Sequence, residues 1–200
     1  MRVGYDIIEP ATVVSDLGVL LDSERSLKKH ISKVVASVCH FHLRRLKPIR
    51  RILGRQITTS LVHSFILSRL DYYNSVLAGL LKSIIASLQR VQNAAARLIC
   101  GLGPRDHVTP ALYELHWLPV KQRVTFKHCT LMHLIHTGCS PSYLSELVTS
   151  TSCIVSRSRL RSANSRRCEQ RATGLKLGIA FAGPAAWNSL PTSLHDVTNP

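Results

Sequence analysis

The fold of this chain is decided by the stretch Leu27-Lys-Lys-His-Ile-Ser-Lys-Val-Val-Ala-Ser-Val-Cys-His-Phe-His-Leu-Arg-Arg-Leu-Lys47, in which apolar and basic residues repeat at helical spacing. The apolar residues recur at steps of three or four: Leu27, Ile31, Val34, Val38 and Phe41. This period predicts an amphipathic helix whose apolar stripe is buried against the rest of the protein. Ser23 or Ser26 is suited to cap its start, and Pro48 predicts its end or a kink.

The basic residues of this stretch follow the same period but lie roughly opposite the apolar stripe. They are Lys29, Lys33, His40, Arg44 and Lys47. The surrounding segment 25–55 holds ten Lys or Arg and no Asp or Glu, in a chain whose net charge is +15. A second cluster, residues 157–176, has seven basic residues and one acidic residue. Such clustering favours a polyanionic partner, nucleic acid in particular; the alternative is a solvated basic surface without a ligand.

The remaining apolar patterns predict further helices and one short strand. Helical periods run through residues 57–72, 84–98 and 119–138. Small side chains at 93–96 would let another helix approach closely. Alternating apolar residues at 16–21 predict a short strand.

The C-terminal quarter changes in character. Residues 151–174 are dominated by Ser, Arg and Thr and have no apolar period, which predicts a flexible basic linker. Beyond the linker, apolar residues alternate as in a short strand: Leu175, Leu177, Ile179 and Phe181. Gly183-Pro184 then leads into a brief helix that contains Trp187.

The patterns together predict a mostly α protein in four parts. A segment at 1–22 carries the short strand, and a helical bundle spans 23–150. The flexible basic linker at 151–174 and a small strand–helix element at 175–200 follow.

The sequence offers no catalytic constellation. No Asp-Asp or Glu-Asp pair is present, and Asp71 is the only carboxylate between Glu24 and Asp106. Gly101-Leu-Gly103 lacks the lysine and the further glycines of a phosphate-binding loop, and no Gly-x-Ser-x-Gly elbow occurs. We therefore predict a protein that is not an enzyme, with no cofactor and no small-molecule substrate.

Cysteine and histidine spacing gives little support for a metal site. The six cysteines form no Cys-x-x-Cys pair. Cys129, His133 and His136 would share one helix face, so zinc binding stays open as a hypothesis, but a fourth ligand would have to come from elsewhere. A packed helix is the better interpretation, and we predict no metal.

Nothing in the sequence predicts export or membrane insertion. The N-terminus carries acidic residues without an apolar block, unlike a signal peptide. No apolar run approaches the length that spans a bilayer. We expect an intracellular protein of the nucleus or cytoplasm that is neither secreted nor bound to a membrane.

Three longer motifs stand out: Ser68-Arg-Leu-Asp-Tyr-Tyr-Asn-Ser75, Leu88-Gln-Arg-Val-Gln-Asn-Ala-Ala-Ala-Arg-Leu-Ile99 and Glu114-Leu-His-Trp-Leu-Pro-Val-Lys-Gln-Arg123. Four shorter ones accompany them: Asp16–Asp22, Ser26–Ile31, Ser140–Leu144 and Gly183–Pro191. In this order and at this spacing, they resemble the region that follows the palm in reverse transcriptases of non-LTR retrotransposons (LINE, jockey-like). The resemblance covers roughly residues 13–191. One departure is Tyr73, where the family's Arg-Leu-Asp-Tyr-Cys-Asn pattern has cysteine.

The resemblance implies a fragment without polymerase activity. In these enzymes a Tyr/Phe-x-Asp-Asp turn on the palm helps to hold the paired catalytic metal ions, and the palm lies upstream of the region resembled. Met1 would then start after the palm, and the missing palm domain would belong to a longer polyprotein. Asp71 and Asn74 match the post-palm pattern, so we expect them to cap a helix or form buried hydrogen bonds.

The resemblance also implies that 23–150 is a thumb-like domain and 1–22 a junction with the palm. Because the thumb grips the template–primer duplex, we expect sequence-independent binding of an RNA–DNA hybrid or duplex. Eight residues are the predicted phosphate contacts: Lys28, Lys29, Lys33, Arg44, Arg45, Lys47, Arg50 and Arg51. The alternative is a stand-alone basic helical interaction module that binds RNA or an acidic protein partner.

A thumb without its palm has one further physical consequence. An apolar face that normally packs against the palm would be exposed, and residues 16–21 lie at that junction. We therefore expect marginal stability or self-association of the isolated chain.

Overall fold

A computed structural model describes residues 2–3, 6–7, 11–24, 26–80, 82–151, 167–170 and 178–195 of the 200-residue chain. Helices dominate these residues, which confirms the prediction of a mostly α protein. None of the described helices is both long and apolar enough to cross a membrane. The chain divides into two compact units: unit 1 is Met1–Tyr73 with Leu81–Trp117, and unit 2 is Asn74–Leu80 with Leu118–Pro200.

Four short strands in unit 1 form two antiparallel hairpins: β1 (Arg2–Val3) with β2 (Asp6–Ile7), and β3 (Val13–Asp16) with β4 (Val19–Asp22). The strand predicted at 16–21 is therefore present as β4, and it has a partner strand. Leu17 and Gly18 do not belong to it, because both adopt positive φ and form the turn of the second hairpin. Val19 is buried, whereas Leu17 is 81% exposed.

A long right-handed helical run follows: α1 (Lys28–Lys33), a π-helical segment (Val34–Cys39) and α2 (His40–Val62). In the π-helical segment, the His40 N–H bonds to the carbonyl of Val35, five residues back. The extra residue rotates every later side chain by about 100° relative to an uninterrupted α-helix. The buried face therefore continues through Cys39 and Leu46. Phe41, which the uninterrupted period places in the core, is instead 50% exposed.

The ends of this run also differ from the sequence prediction. The residue that caps α1 is Leu27, with φ 53°, and its N–H donates to an Asp22 carboxylate oxygen at 3.0 Å. Neither Ser23 nor Ser26 occupies the cap position. α2 continues through Pro48, and its break lies at Gly54, whose φ of 72° and ψ of 174° are not helical.

Unit 1 is completed by a second π-helical segment (His63–Leu67), α3 (Ser68–Asp71), α4 (Lys82–Cys100) and α5 (Thr109–Glu114). α4 packs along α2, and its small residues Ala95 and Ala96 are fully buried, as the close approach predicted at 93–96 requires. Trp117 is also buried, with its ring edge-to-face against His63 at 5.5 Å between centroids.

Unit 2 contains a 3-10 helix (Asn74–Leu77), α6 (Val120–His136), α7 (Ser142–Ser145), α8 (Ile179–Asn188) and α9 (Thr192–His195). Its core joins Met132 of α6 and Trp187 of α8 to Cys168. The backbone N–H and carbonyl of Cys168 both bond to the Asn188 side-chain amide, at 3.0 and 2.8 Å. This part of the predicted 151–174 linker is therefore packed in unit 2. The rest of the linker, 152–166 and 171–174, lies outside the described residues.

The C-terminal strand–helix element is present in a different arrangement. α8 contains Trp187 as predicted, but it begins at Ile179, so Ile179 and Phe181 are helical rather than extended. The other two alternating positions, 175 and 177, lie outside the described residues. Among the described residues of this part of the chain, a β-bridge joins Ser150 and Cys168.

Candidate nucleic-acid interface

The eight predicted phosphate contacts all lie on the long helical run of unit 1. Lys28, Lys29 and Lys33 are exposed on α1. Five lie on α2, where Arg50 is half-buried and the other four are exposed: Arg44, Arg45, Lys47, Arg50 and Arg51. The position of these charges on a solvent-facing helix surface therefore agrees with the sequence pattern.

The structure selects a subset of these cations by placing them in one groove. A cavity of about 480 Å³ runs between α2, the C-terminal half of α4 and the loop that follows α4. Its basic lining is His40, Arg44, Lys47, Arg50 and Arg97. Its apolar lining is Leu43, Ala94, Leu98, Leu102 and Pro104. No Asp or Glu is among the described residues that line it, so the groove is an electropositive site with an apolar base.

Arg50 is held in the groove by the end of α4. The last turn of α4 closes with the N–H groups of Gly101 and Leu102 donating to the Arg97 carbonyl, at 2.9 and 3.0 Å. Gly101 has φ +74°, and a Cβ at this position would collide with the Arg50 guanidinium. The cation thus lies against the C-terminus of a helix, where the helix dipole favours positive charge.

Arg97 is the groove cation that the sequence analysis missed. Its Nη2 donates to the Asp106 carbonyl at 3.2 Å, and its Nε is buried without a hydrogen-bond partner among the described residues. Arg97 lies far from the 25–55 cluster in sequence, and its immediate sequence neighbours include no Lys or Arg. Only the packing of α4 on α2 brings it to the groove.

A carboxylate in the adjoining loop has a backbone hydrogen-bond partner. Asp106 Oδ2 accepts a hydrogen bond from the Gly103 N–H at 2.6 Å in the loop that borders the groove. Elsewhere in unit 1, Arg55 pairs with Glu114 at 2.5 Å on an exposed surface, which partly offsets its charge. Arg44 and Lys47, which line the groove, are both exposed to solvent.

The other predicted contacts lie outside the groove. Arg45 does not line it; its guanidinium carbon is 5.3 Å from the centroid of the Phe41 ring. Arg51 and the three α1 lysines are also absent from the groove lining. They add to the positive field of the helical run without sharing the site.

His133 and His136 of α6 contact Trp187 in the core of unit 2. Among the described residues, no three His, Cys, Asp or Glu side chains are grouped so that they could hold a metal ion. His136 Nε2 lies 3.2 Å from the Cys168 sulfur, and the His136 ring stacks on Trp187 at 4.9 Å. Burial raises the pKa of the Cys129 thiol above its ordinary value, which disfavours the thiolate that metals bind. The Cys129, His133 and His136 hypothesis therefore gains no support.

Comparison with known proteins adds no identity. No protein-family model, no curated protein and no solved structure matches this chain.

Proposed function

We propose that unit 1 binds nucleic acid through the phosphate backbone, with little dependence on base sequence. The observation that carries the proposal is the groove, in which Arg44, Lys47, Arg50 and Arg97 converge without an opposing carboxylate in the described lining. Guanidinium groups suit phosphate because their planar N–H pairs match its oxygens. No Asn, Gln, Asp or Glu is among the described residues that line the groove, so the expected contacts position a strand through its phosphates and do not specify its sequence.

The resemblance to a post-palm polymerase region supports the finer form of this proposal. The preferred ligand would be an RNA–DNA hybrid or another duplex, held as a thumb holds a template and primer. The chain itself would be a part of a retrotransposon polymerase without the catalytic palm. The proposal includes no catalysis, because the sequence has no adjacent Asp-Asp or Glu-Asp pair of the kind that holds catalytic metal ions.

The test is the salt dependence of duplex binding, measured by fluorescence anisotropy with two labelled duplexes of unrelated sequence. If about six phosphates are neutralised, log K should fall against log salt with a slope near −5. The two duplexes should give Kd values within about threefold of each other. A flat salt response, or no binding at about 50 mM salt, would overturn the proposal.

Paired variants separate the groove from the overall charge. Arg44→Gln with Lys47→Gln removes two groove cations, and Lys121→Gln with Lys127→Gln removes two exposed cations from α6 in unit 2. Both pairs change the net charge equally. The groove pair should make the slope about 2 units less steep, at about 0.9 per lost phosphate contact, and the α6 pair should leave it unchanged. Equal effects of both pairs would favour a non-specific basic surface.

The alternative function, an acidic protein partner, is distinguished by competition. A flexible polyglutamate should displace the duplex only weakly if the groove recognises phosphate geometry. Displacement at equal charge concentration would favour the protein-binding module.

A further inference from the structure

An aromatic side chain borders the basic groove because of the π-helical segment. Phe41 would be buried if α1 and α2 formed one regular α-helix, but the extra residue at Val34–Cys39 leaves it 50% exposed. A shallow recess of about 400 Å³ lies beside the ring, lined by Ala36, His40, Phe41 and Arg44. His40 and Arg44 also line the groove. The recess and the groove thus share two of their walls.

The Phe41 ring is held in place by its neighbours. The His42 ring meets it edge-to-face, at 5.4 Å between centroids and 79° between planes. His42 in turn stacks on Phe65 at 4.9 Å and 9°, and Phe65 is 42% exposed. Arg45 lies over the Phe41 ring at 5.3 Å. The result is a row of three rings in which Phe41 and Phe65 are exposed, with a cation over Phe41.

We propose that this recess binds an unpaired nucleobase, which stacks on Phe41 while Arg44 and the groove cations hold the adjacent phosphates. The inference rests on the proposed function, and it names single-stranded nucleic acid, or the single-stranded end of a duplex, as a ligand of the same site. Proteins that bind single strands combine a basic track for the backbone with aromatic rings for the bases. Both parts are present here, and two side chains belong to both.

The surroundings of Phe41 favour a nucleic acid over an apolar peptide. Arg44 and Arg45 flank the ring, and His40 closes the recess on the groove side. An apolar peptide would offer Arg44 and Arg45 no anion, whereas a nucleotide supplies both a π-face and a phosphate. Volume agrees as well, since small-ligand sites commonly enclose about 300 to 1,000 Å³.

The experiment compares a single-stranded oligonucleotide with a duplex on the full chain and its Phe41→Ala, Phe41→Tyr and Phe126→Ala variants. Phe126 is 64% exposed on α6 in unit 2 and serves as the matched control. Because Phe41 is half exposed, its replacement leaves the core intact, which circular dichroism verifies. A 2-aminopurine base in the single strand reports stacking independently through fluorescence quenching.

The expected result is selective. Phe41→Ala should weaken single-strand binding about 5- to 100-fold and abolish the quenching, with duplex affinity within about twofold of the parent. Phe41→Tyr should restore both signals, and Phe126→Ala should change neither. Equal weakening of both ligands by Phe41→Ala, or an unchanged single-strand affinity, would overturn the inference while leaving the proposed function in place. If the parent chain binds neither ligand, both the inference and the proposed function fail.

Discussion

Gly101→Ala tests how the fold positions a groove cation, because a second glycine provides a matched control. Gly101 and Gly138 each follow a helix C-terminus, with φ of +74° and +73°. In both, an alanine must adopt the left-handed region, at a cost of about 1–2 kcal/mol in stability. A Cβ at Gly101 would also strike the Arg50 guanidinium, whereas nothing lies within 4 Å of a Cβ at Gly138.

The two substitutions should therefore agree in stability and differ in binding. Arg50 ends in a flexible side chain, which can move away at small additional cost, but it then leaves its place in the groove. Gly101→Ala should weaken duplex binding roughly tenfold, about 1.4 kcal/mol, and make the salt slope about 0.9 less steep. Gly138→Ala should lose the same 1–2 kcal/mol of unfolding free energy and bind as the parent does.

Two assays test these expected effects on stability and binding. Urea unfolding followed by tryptophan fluorescence measures stability, with Trp117 in unit 1 and Trp187 in unit 2. Fluorescence anisotropy measures duplex affinity against salt. In an Arg50→Gln background, Gly101→Ala should have no further effect on binding. A folded Gly101→Ala protein with the parent's affinity and salt slope would refute the role assigned to Arg50.

Three further predictions concern unit 2. Burial lowers the pKa of His128 below its ordinary value of 6.5, and a hydrogen bond to a backbone carbonyl partly offsets this shift. The unfolding free energy should therefore be fully retained above about pH 6.5 and fall on acidification toward the lowered folded-state pKa. Urea titrations in which His128→Gln keeps the same pH dependence of the unfolding free energy would contradict this. Gly183→Ala should destabilise unit 2 by about 1–3 kcal/mol, because its Cβ would lie 2.8 Å from the Met132 sulfur, and a melting temperature equal to the parent's would refute that contact. The pKa of about 11 that burial gives the Cys168 thiol should keep it unlabelled in the folded protein while exposed Cys139 reacts, as site-resolved mass spectrometry after alkylation would show; equal labelling would exclude the buried position.

The sequence was sufficient for the helical character and for the basic surface, because both depend on local periodicity and charge. It did not predict which residues of the helical run are buried after the π-helical segment. An apolar period of 3.6 cannot show the π-helical segment at Val34–Cys39, since its bond pattern is set by packing. The consequence is concrete: Phe41 faces solvent and Cys39 takes the buried position.

The break in α2 illustrates a second limit. Proline is the usual signal for a kink, yet Pro48 lies in a continuing helix and the break occurs at Gly54, with φ 72°. An exposed proline loses one hydrogen bond, which solvent can replace, whereas a glycine adopts positive φ without steric cost. The sequence contained both residues, and the usual rule selected the wrong one.

The candidate site was predicted only in part for a similar reason. The 25–55 cluster identified Arg44, Lys47 and Arg50, but Arg97 required the packing of α4 against α2. The motifs at Ser68–Ser75 and Glu114–Arg123 have a role that periodicity did not suggest. The chain passes between unit 1 and unit 2 within each of them, after Tyr73 and after Trp117.

The central claim is that the groove, and not the overall charge, holds phosphate. Arg97→Gln and Arg90→Gln test it most directly, because both remove one cation from α4 and only Arg97 lines the groove. In duplex binding against salt, Arg97→Gln should make the log–log slope about 0.9 less steep, and Arg90→Gln should leave it unchanged. Equal slopes for the two variants, with both folded, would contradict the account.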